Sequence, residues 1–515
     1  GLVMLAVAGG VWAVTNGPMK PKMAMDKATV EKNRRAVEDM FYHSYNNYMH
    51  HAFPKDELAP MACKGHDTQN CHGCMLTFYD ALDTLAVLGN KTEYRRVVKW
   101  LAEHGAATFD RDVSVSVFET NIRVLGSLIS NHMLASDPSL DLVPDYDGVL
   151  LKLAIDVGSR LLAAYDTPTG LPYGSVNFKS GVRPGETPVS ATATGGTCLL
   201  EFHLLSKLSG IKAFKKAADK ATKALWQRKS SLGLLGSHID VKTGEWVYFD
   251  SGIGGGIDSL FEYLMKAHLL TGRADYLSMF EEGYRSINQY TKFEGWHIDV
   301  DMRTGKVMFP FYRSLQSFWP GLQVLYGDLA EARALFSKFF AIWKKYGFVP
   351  EAYNVQTQAP QEGLGQYPLR PEMAESAFYL HRASGDDEYR FAGQTIIESL
   401  NTHARSECGY AAIEDVVSKR RRDHMDSYFI AETVKYLYLL FDESEWTKGF
   451  RDPSKYIFNT EAHLLPLETP PSAEFLLSPR NPPTMGPRAE RLKNAGKGGK
   501  KKKGGKKKAK KEGEL

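Results

Sequence analysis

Apolar residues recur at helical spacing through five stretches of the chain: "YDALDTLAVLGNKTEYRRVVKWL", "LEFHLLSKLSGIKAFKKAADKATKAL", "FEYLMKAHLLTGRADYLSMFEEGYRSI", "GLQVLYGDLAEARALFSKFFAIW" and "ESAFYLHRASGDDEYRFAGQTIIESL". Each predicts an amphipathic helix, a glycine turn and a second helix. The turn glycines are Gly89, Gly210, Gly272, Gly327 and Gly385, and the first interval is double, with Gly126 of "FETNIRVLGSLIS" inside it. After most second helices comes a glycine-led run of alternating character, such as "GLLGSHIDVKTGEW", "GWHIDVDMRTGKVMF" or "CGYAAIEDV", which predicts short β-hairpins. Units of about 55 to 60 residues that cannot bury their own apolar faces must stack on neighbours, and about seven fit between residues 28 and 460. The fold class is therefore mainly α, either an open solenoid or a closed α-toroid, with the hairpins on one rim where function tends to sit.

Composition supports a large core, at 43% hydrophobic and 24% charged residues. The formal charge of +4 is misleading, because residues 493–515 hold eleven lysines and two glutamates, so everything before them is mildly acidic. That balance argues against nucleic acid as a partner. Residues 1–27 open with "GLVMLAVAGGVWAV", read as a signal-peptide remnant or N-terminal apolar segment and too short to span a bilayer. Residues 28–467 form the expected catalytic domain. Residues 468–515, Pro-containing and then Lys/Gly-rich, are expected to be a disordered tail, whose "KEGEL" end only faintly resembles a retention signal. Asn90 heads a glycosylation sequon, Asn90-Lys91-Thr92.

Four carboxylates fall at the start of helical units after the hairpins: Glu119 in "VFETNIR", Asp258 in "GGGIDSLFEY", Glu372 in "YPLRPEMAES" and Glu432 in "SYFIAETVKY". Any one of them is explained by the helix dipole, which favours acids in a first turn. Several in apolar, aromatic-rich surroundings would meet at one cavity mouth if the units close into a ring. Acids of that kind beside aromatics such as Trp296, Trp319, Tyr428 and Phe429 suit glycoside hydrolysis, which needs one carboxyl to protonate the leaving oxygen and another to activate water.

The motifs "FPKDELAPMACKG", "DALDTLAVLGN", "VFETNIRVLG", "DSGIGGGIDSLFEYL", "PLRPEMAESAFYLHRASGD", "SYFIAETVKYLYLLF" and "YIFNTEAHLLP" occur in collinear order from about residue 30 to 467. Together they resemble glycoside hydrolase family 47, the class I α-1,2-mannosidases, and within it the ER degradation-enhancing α-mannosidase-like branch. The resemblance implies an (αα)7 barrel, an inverting mechanism and one Ca²⁺ at the barrel floor. It implies that Glu119 is the proton donor, with Asp258 a second candidate for that role, and that Glu372 is the base. Thr460 would ligate Ca²⁺, with Glu461 behind it and Glu432 close by. Arg123, Arg370, Tyr428, Phe429 and Glu432 would contact sugar. The substrates implied are high-mannose N-glycans on misfolded glycoproteins, processed in the endoplasmic reticulum lumen for ER-associated degradation, with room for a protein disulfide isomerase-like partner. A mannose-binding lectin-like pseudoenzyme and an ordinary glycan-processing α-1,2-mannosidase are the alternatives.

The resemblance also implies that Cys63 pairs with Cys408. Just before "CHGC", Cys71 to Cys74, the family runs D-T-W-G, and this chain has Gln69 in place of the tryptophan and two extra residues before Asp80. "CHGC" reads as an elaboration of a surface loop, with a local disulfide, free thiols and redox exchange all open. Cys198 reads as a buried thiol.

Overall fold

The computed structural model describes residues 24–467, so the apolar N-terminal run and the lysine-rich tail lie outside the described residues. Among the described residues, seven outer helices alternate with seven inner ones. The outer set is Lys27–Asn47, Lys91–Phe109, Val149–Leu162, Lys212–Trp226, Ala274–Tyr290, Leu329–Tyr346 and Glu388–Ser399. The inner set, several of them broken into consecutive segments, is centred on Leu82–Val87, Gly126–Ala135, Leu199–Ser209, Asp258–Thr271, Trp319–Tyr326, Glu372–Ser384 and Val434–Phe441. Each inner helix packs on the next. The ring closes where Lys27–Asn47 lies against Val434–Phe441 and Leu82–Val87 meets the Phe429–Thr433 segment. The chain is thus a closed toroid and not an open solenoid.

Local chemistry sets the helix ends. Asp26, Asn90 and Asp328 cap outer helices by accepting hydrogen bonds from the backbone N–H of Thr29, Glu93 and Glu331. Gly272 (φ 70°) and Gly327 (φ 93°) end inner helices in the left-handed conformation that a side chain would strain. Gly126 corrects the sequence reading. It lies inside a helix at φ −57°, and a Cβ there would stand 2.5 Å from Asn459 Nδ2. Its smallness admits another segment of chain, and the turn of that unit falls later, ending at Gly148 (φ 82°).

The short strands do more than form hairpins. Ser114–Ser116, leading into the helix that begins Val117–Glu119, pairs with Ser175–Asn177 of the next unit. Val189–Ala191 pairs likewise with His238–Asp240, Asp250–Ser251 with Asp299–Asp301, and Phe311–Arg313 with Ala352–Asn354. The entry to several inner helices is therefore fixed by a ladder to its neighbour, which places their N-termini on a common rim. From the other end a hairpin, Tyr456–Phe458 with Leu464–Pro466, enters the ring. Phe458 packs among Phe378, Tyr379 and Tyr436. Its turn, Asn459 to His463, plugs the barrel.

Two disulfides are present, Cys63–Cys408 and Cys71–Cys74, and Cys198 is a buried free thiol. The "CHGC" loop is not a surface ornament. Both half-cystines are buried, and the loop is gathered around the Asp56 carboxylate, which accepts the backbone N–H groups of Thr68, Gly73 and Leu76 at 2.9, 2.7 and 3.2 Å. Cys63–Cys408 spans 345 residues and Cys71–Cys74 only 3, so in the unfolded chain the first removes far more freedom. Cys63→Ser/Cys408→Ser should cost about 2–5 kcal/mol in denaturant unfolding and Cys71→Ser/Cys74→Ser much less. Equal losses would show that the long bridge adds no constraint on ring closure.

Candidate active site

The rim ladders deliver the acids. Glu119 closes the first turn of its helix, where Ser116 Oγ accepts its N–H at 3.2 Å. The chain then runs through a π-helical segment, Thr120–Leu125, whose wider turn re-aims Arg123. Asp258 is the first residue of its helix, and Oδ1 accepts the Ser259 N–H at 2.8 Å. Glu372 is likewise the first helical residue after Pro371. Just before it Leu369 is held at φ 63°, a conformation costing roughly 1–3 kcal/mol for a non-glycine residue. Phe429–Thr433, which carries Glu432, is a second π-helical segment. Thr460 and Glu461 come from the tip of the plugging hairpin, where Ala462 also takes a positive φ, 57°.

These elements enclose a cavity of about 440 Å³ inside the rim. Seven carboxylates line it, those of Glu119, Asp258, Glu262, Glu372, Glu375, Glu432 and Glu461, against the guanidiniums of Arg123 and Arg370. Glu119, Asp258, Glu372 and Glu432 are thus brought together, with Thr460 on the same wall. Arg123 Nε donates to Glu119 at 2.8 Å, and Nη1 reaches Glu461, Asp80 at 3.4 Å and Ser427 Oγ at 3.1 Å. Arg370 forks onto Glu351 at 2.6 and 2.9 Å. Loss of water by burial raises the Asp258 carboxyl to about 6 and that of Glu372 to about 8, the latter against the pull of Arg370. Glu375 is held well above the usual range by burial and then by Glu262. Glu432 is held there by burial and then by Glu461.

Three aromatic expectations need correction. Phe429 is fully buried and packs on Tyr410, ring centroids 5.0 Å apart. Its neighbour Tyr428 lines the cavity instead, because adjacent helical residues point about 100° apart and only one can face the axis. Trp319 is buried between Phe261 and Tyr284, and Trp296 packs on Tyr312 and Phe339. The aromatic faces presented to the cavity belong to Tyr428, Phe118 and Phe318. Tyr428 is fixed by a hydrogen bond from its hydroxyl to Pro368 O at 2.7 Å and by Arg123 lying 5.3 Å from its ring centre. Asn90 lies on an outer helix away from the cavity, half-buried, with its side-chain amide donating to the Tyr42 hydroxyl.

Glu262 and Glu375 were not singled out from sequence. The signal existed: they follow Asp258 and Glu372 by four and three residues, the spacing that puts two side chains on one helix face. Glu262 pairs with the buried Lys266, while the carboxylates of Glu375 and Glu432 accept no hydrogen bond from any described residue. The cavity wall thus offers oxygen donors only, in excess of the cations beside them, which is the chemistry of a site for a hard divalent ion. Phe458, Asn459 and Lys435 hold the hairpin tip in place, with Lys435 Nζ donating to Ala462 O and Asp83 at 2.8 Å each.

A toroid plugged at one end, with acids and aromatic faces at the other, suits glycoside hydrolysis. The model of glycosyl hydrolase family 47 matches residues 40–467, and the chain belongs to this family, whose members are α-mannosidases. It is 45% identical over 469 residues to α-mannosidase I MNS4 of Arabidopsis thaliana, covering 90% of this chain and 74% of that one. It is 44% identical over 447 residues to human ER degradation-enhancing alpha-mannosidase-like protein 2, covering 84% and 77%. Among solved structures, the α-1,2-mannosidase of Trichoderma reesei superposes with a TM-score of 0.76 at 27% identity, over 85% of this chain and 99% of that one.

Proposed function

We propose that the protein is a Ca²⁺-dependent inverting α-1,2-mannosidase that trims high-mannose N-glycans on misfolded glycoproteins, marking them for ER-associated degradation in the endoplasmic reticulum lumen. The observation that carries this reading is the gathering of Glu119, Asp258 and Glu372 around one cavity beside Tyr428 and two arginines. The names of the relatives support the destination, since several are ER degradation-enhancing mannosidase-like proteins. Among the described residues no helix is long and apolar enough to cross a membrane.

In the proposed reaction Glu372 accepts a proton from water as the water oxygen bonds to the anomeric carbon. The glycosidic bond breaks on the opposite face, and its oxygen takes a proton from a carboxylic acid. Asp258 and Glu119 are the candidates for that acid, Glu119 lying in an ion pair with Arg123, and Glu372, raised by burial, must be ionised to act as the base. Arg123 and Arg370 orient these acids and sugar hydroxyls, and Tyr428 offers its ring to a sugar face. Thr460, Glu432 and Glu461 would hold the calcium ion. When bound, that ion supplies positive charge that favours the ionised form of nearby carboxyls and oxygen coordination for sugar hydroxyls.

The metal has a pH signature. Burial holds Glu372, Glu375 and Glu432 above their usual values, so at these three groups the metal-free folded chain binds more protons than the unfolded one. Their contribution to stability therefore falls as pH rises above the ordinary carboxyl range. Cation binding needs the ionised acids. The rise in Tm on adding Ca²⁺ should accordingly be larger at about pH 7.5 than at about pH 5.5, and Thr460→Ala should shrink it along with mannose release. Melting curves in calcium and in chelator that coincide at both pH values would remove the ion from the proposal.

A further inference from the structure

Beside the cavity wall, chain segments far apart in sequence meet edge to edge. Glu57 and His66 face each other across the antiparallel pair Glu57–Ala59 and Lys64–His66. Along the other side of the first strand runs Met425, whose N–H donates to Leu58 O at 3.1 Å. His424 and Asp426 flank Met425, and alternate residues of an extended segment point to one side. His424 Nε2 stands 3.4 Å from Glu57 Oε2 and 3.2 Å from Asp426 Oδ1, and His66 Nε2 stands 3.8 Å from the same Glu57 oxygen. Donors about 2.1 Å from a tetrahedral zinc ion stand roughly 3.4 Å from one another.

We propose that Glu57, His66 and His424, whose ligand atoms all lie within 4.8 Å of one another, form a second metal site for zinc or a similar borderline transition-metal ion, with Asp426 beside His424. The donor chemistry separates it from the oxygen-only cavity wall, since imidazole nitrogens suit such ions and not calcium. The surroundings fit a site built to hold charge. The Glu57 side chain is 5% exposed, its other oxygen is fixed by the Ser427 N–H at 2.9 Å, and Asp426 Oδ2 is buried with no hydrogen-bond partner. The histidines leave a way in, at 35% and 23% side-chain exposure. An ion here would clip residues 57–66 to residues 424–426 at the junction that Cys63–Cys408 also closes. It would also brace Ser427, whose hydroxyl bonds Arg123, and through it the adjoining Tyr428.

Cobalt(II) is the probe, because a tetrahedral site with nitrogen donors gives it a visible absorption band. The calcium-saturated full chain should bind one equivalent of Co²⁺ with such a band, Zn²⁺ should bleach it, and Zn²⁺ alone should raise Tm. His66→Ala and His424→Ala should each weaken Co²⁺ binding at least by the roughly 10- to 100-fold that loss of even an outer partner costs a metal site. His72→Ala, an exposed histidine in the adjoining loop, should bind as the parent does. A wild-type protein with no visible band and no zinc-dependent rise in Tm would overturn the proposal, whatever the stability of the variants. So would a band that survives unchanged in His66→Ala and His424→Ala.

Discussion

Glu372→Gln should lose mannose cleavage by about 10²- to 10⁴-fold while still binding mannose. The substitution keeps volume and hydrogen-bonding atoms but removes the group that accepts the water proton. Its position makes the loss specific. Glu372 opens an inner helix behind a strained Leu369, facing the cavity with Arg370 beside it and Asp258 across the ring. Burial raises its carboxyl to about 8 against the pull of Arg370, so the ionised form that accepts the water proton depends on the positive charge gathered around it. Turnover of oligomannose and calorimetric mannose binding, measured on one preparation, separate the two effects. Near-normal turnover would move the base elsewhere, and loss of binding together with turnover would make Glu372 a binding residue.

Arg123→Met should destabilise the fold by about 3–5 kcal/mol as well as abolish activity. One guanidinium, 10% exposed, serves Glu119, Asp80 and Glu461 at once, and Asp80 and Glu461 are almost wholly inside the protein. Methionine fills the space but removes the cation these acids share, leaving Asp80 with Ser427 and His463 alone, a situation costlier than never having had the cluster. The penalty should shrink as pH falls, because the stranded acids can then take up protons, and Arg123→Lys should lie between parent and methionine variant since it keeps charge but not the fork. Denaturant unfolding at two pH values reads both. A change under about 0.5 kcal/mol would place Arg123 among ordinary surface pairs.

The helix pairs were legible because a 3.6-residue apolar period marks a helix wherever it lies, and the left-handed glycines punctuate the pairs. Ring closure was not legible from periodicity alone. It depends on Lys27–Asn47 meeting Val434–Phe441, a contact between the two ends of the domain. The same limit explains Gly126, whose smallness answers to Asn459, more than 300 residues away in sequence, and the Asp56-centred burial of "CHGC". At the site, the acids that open helices stood out by their position after hairpins. Glu262 and Glu375 looked like ordinary helical charges until the inner faces converged. The Phe429 expectation failed for a geometric reason: "SYF" offers two adjacent aromatics, and the phase of a π-helical segment decides which faces the axis.

Hydrolysis should proceed with inversion at the anomeric carbon, Glu372 and the proton donor working from opposite faces. Proton NMR of the wild-type, calcium-loaded protein acting on oligomannose, read in the first minutes before mutarotation, tests it most directly. β-Mannose should appear first and relax toward the equilibrium mixture. α-Mannose as the initial product would contradict the inverting assignment and with it the role given to Glu372.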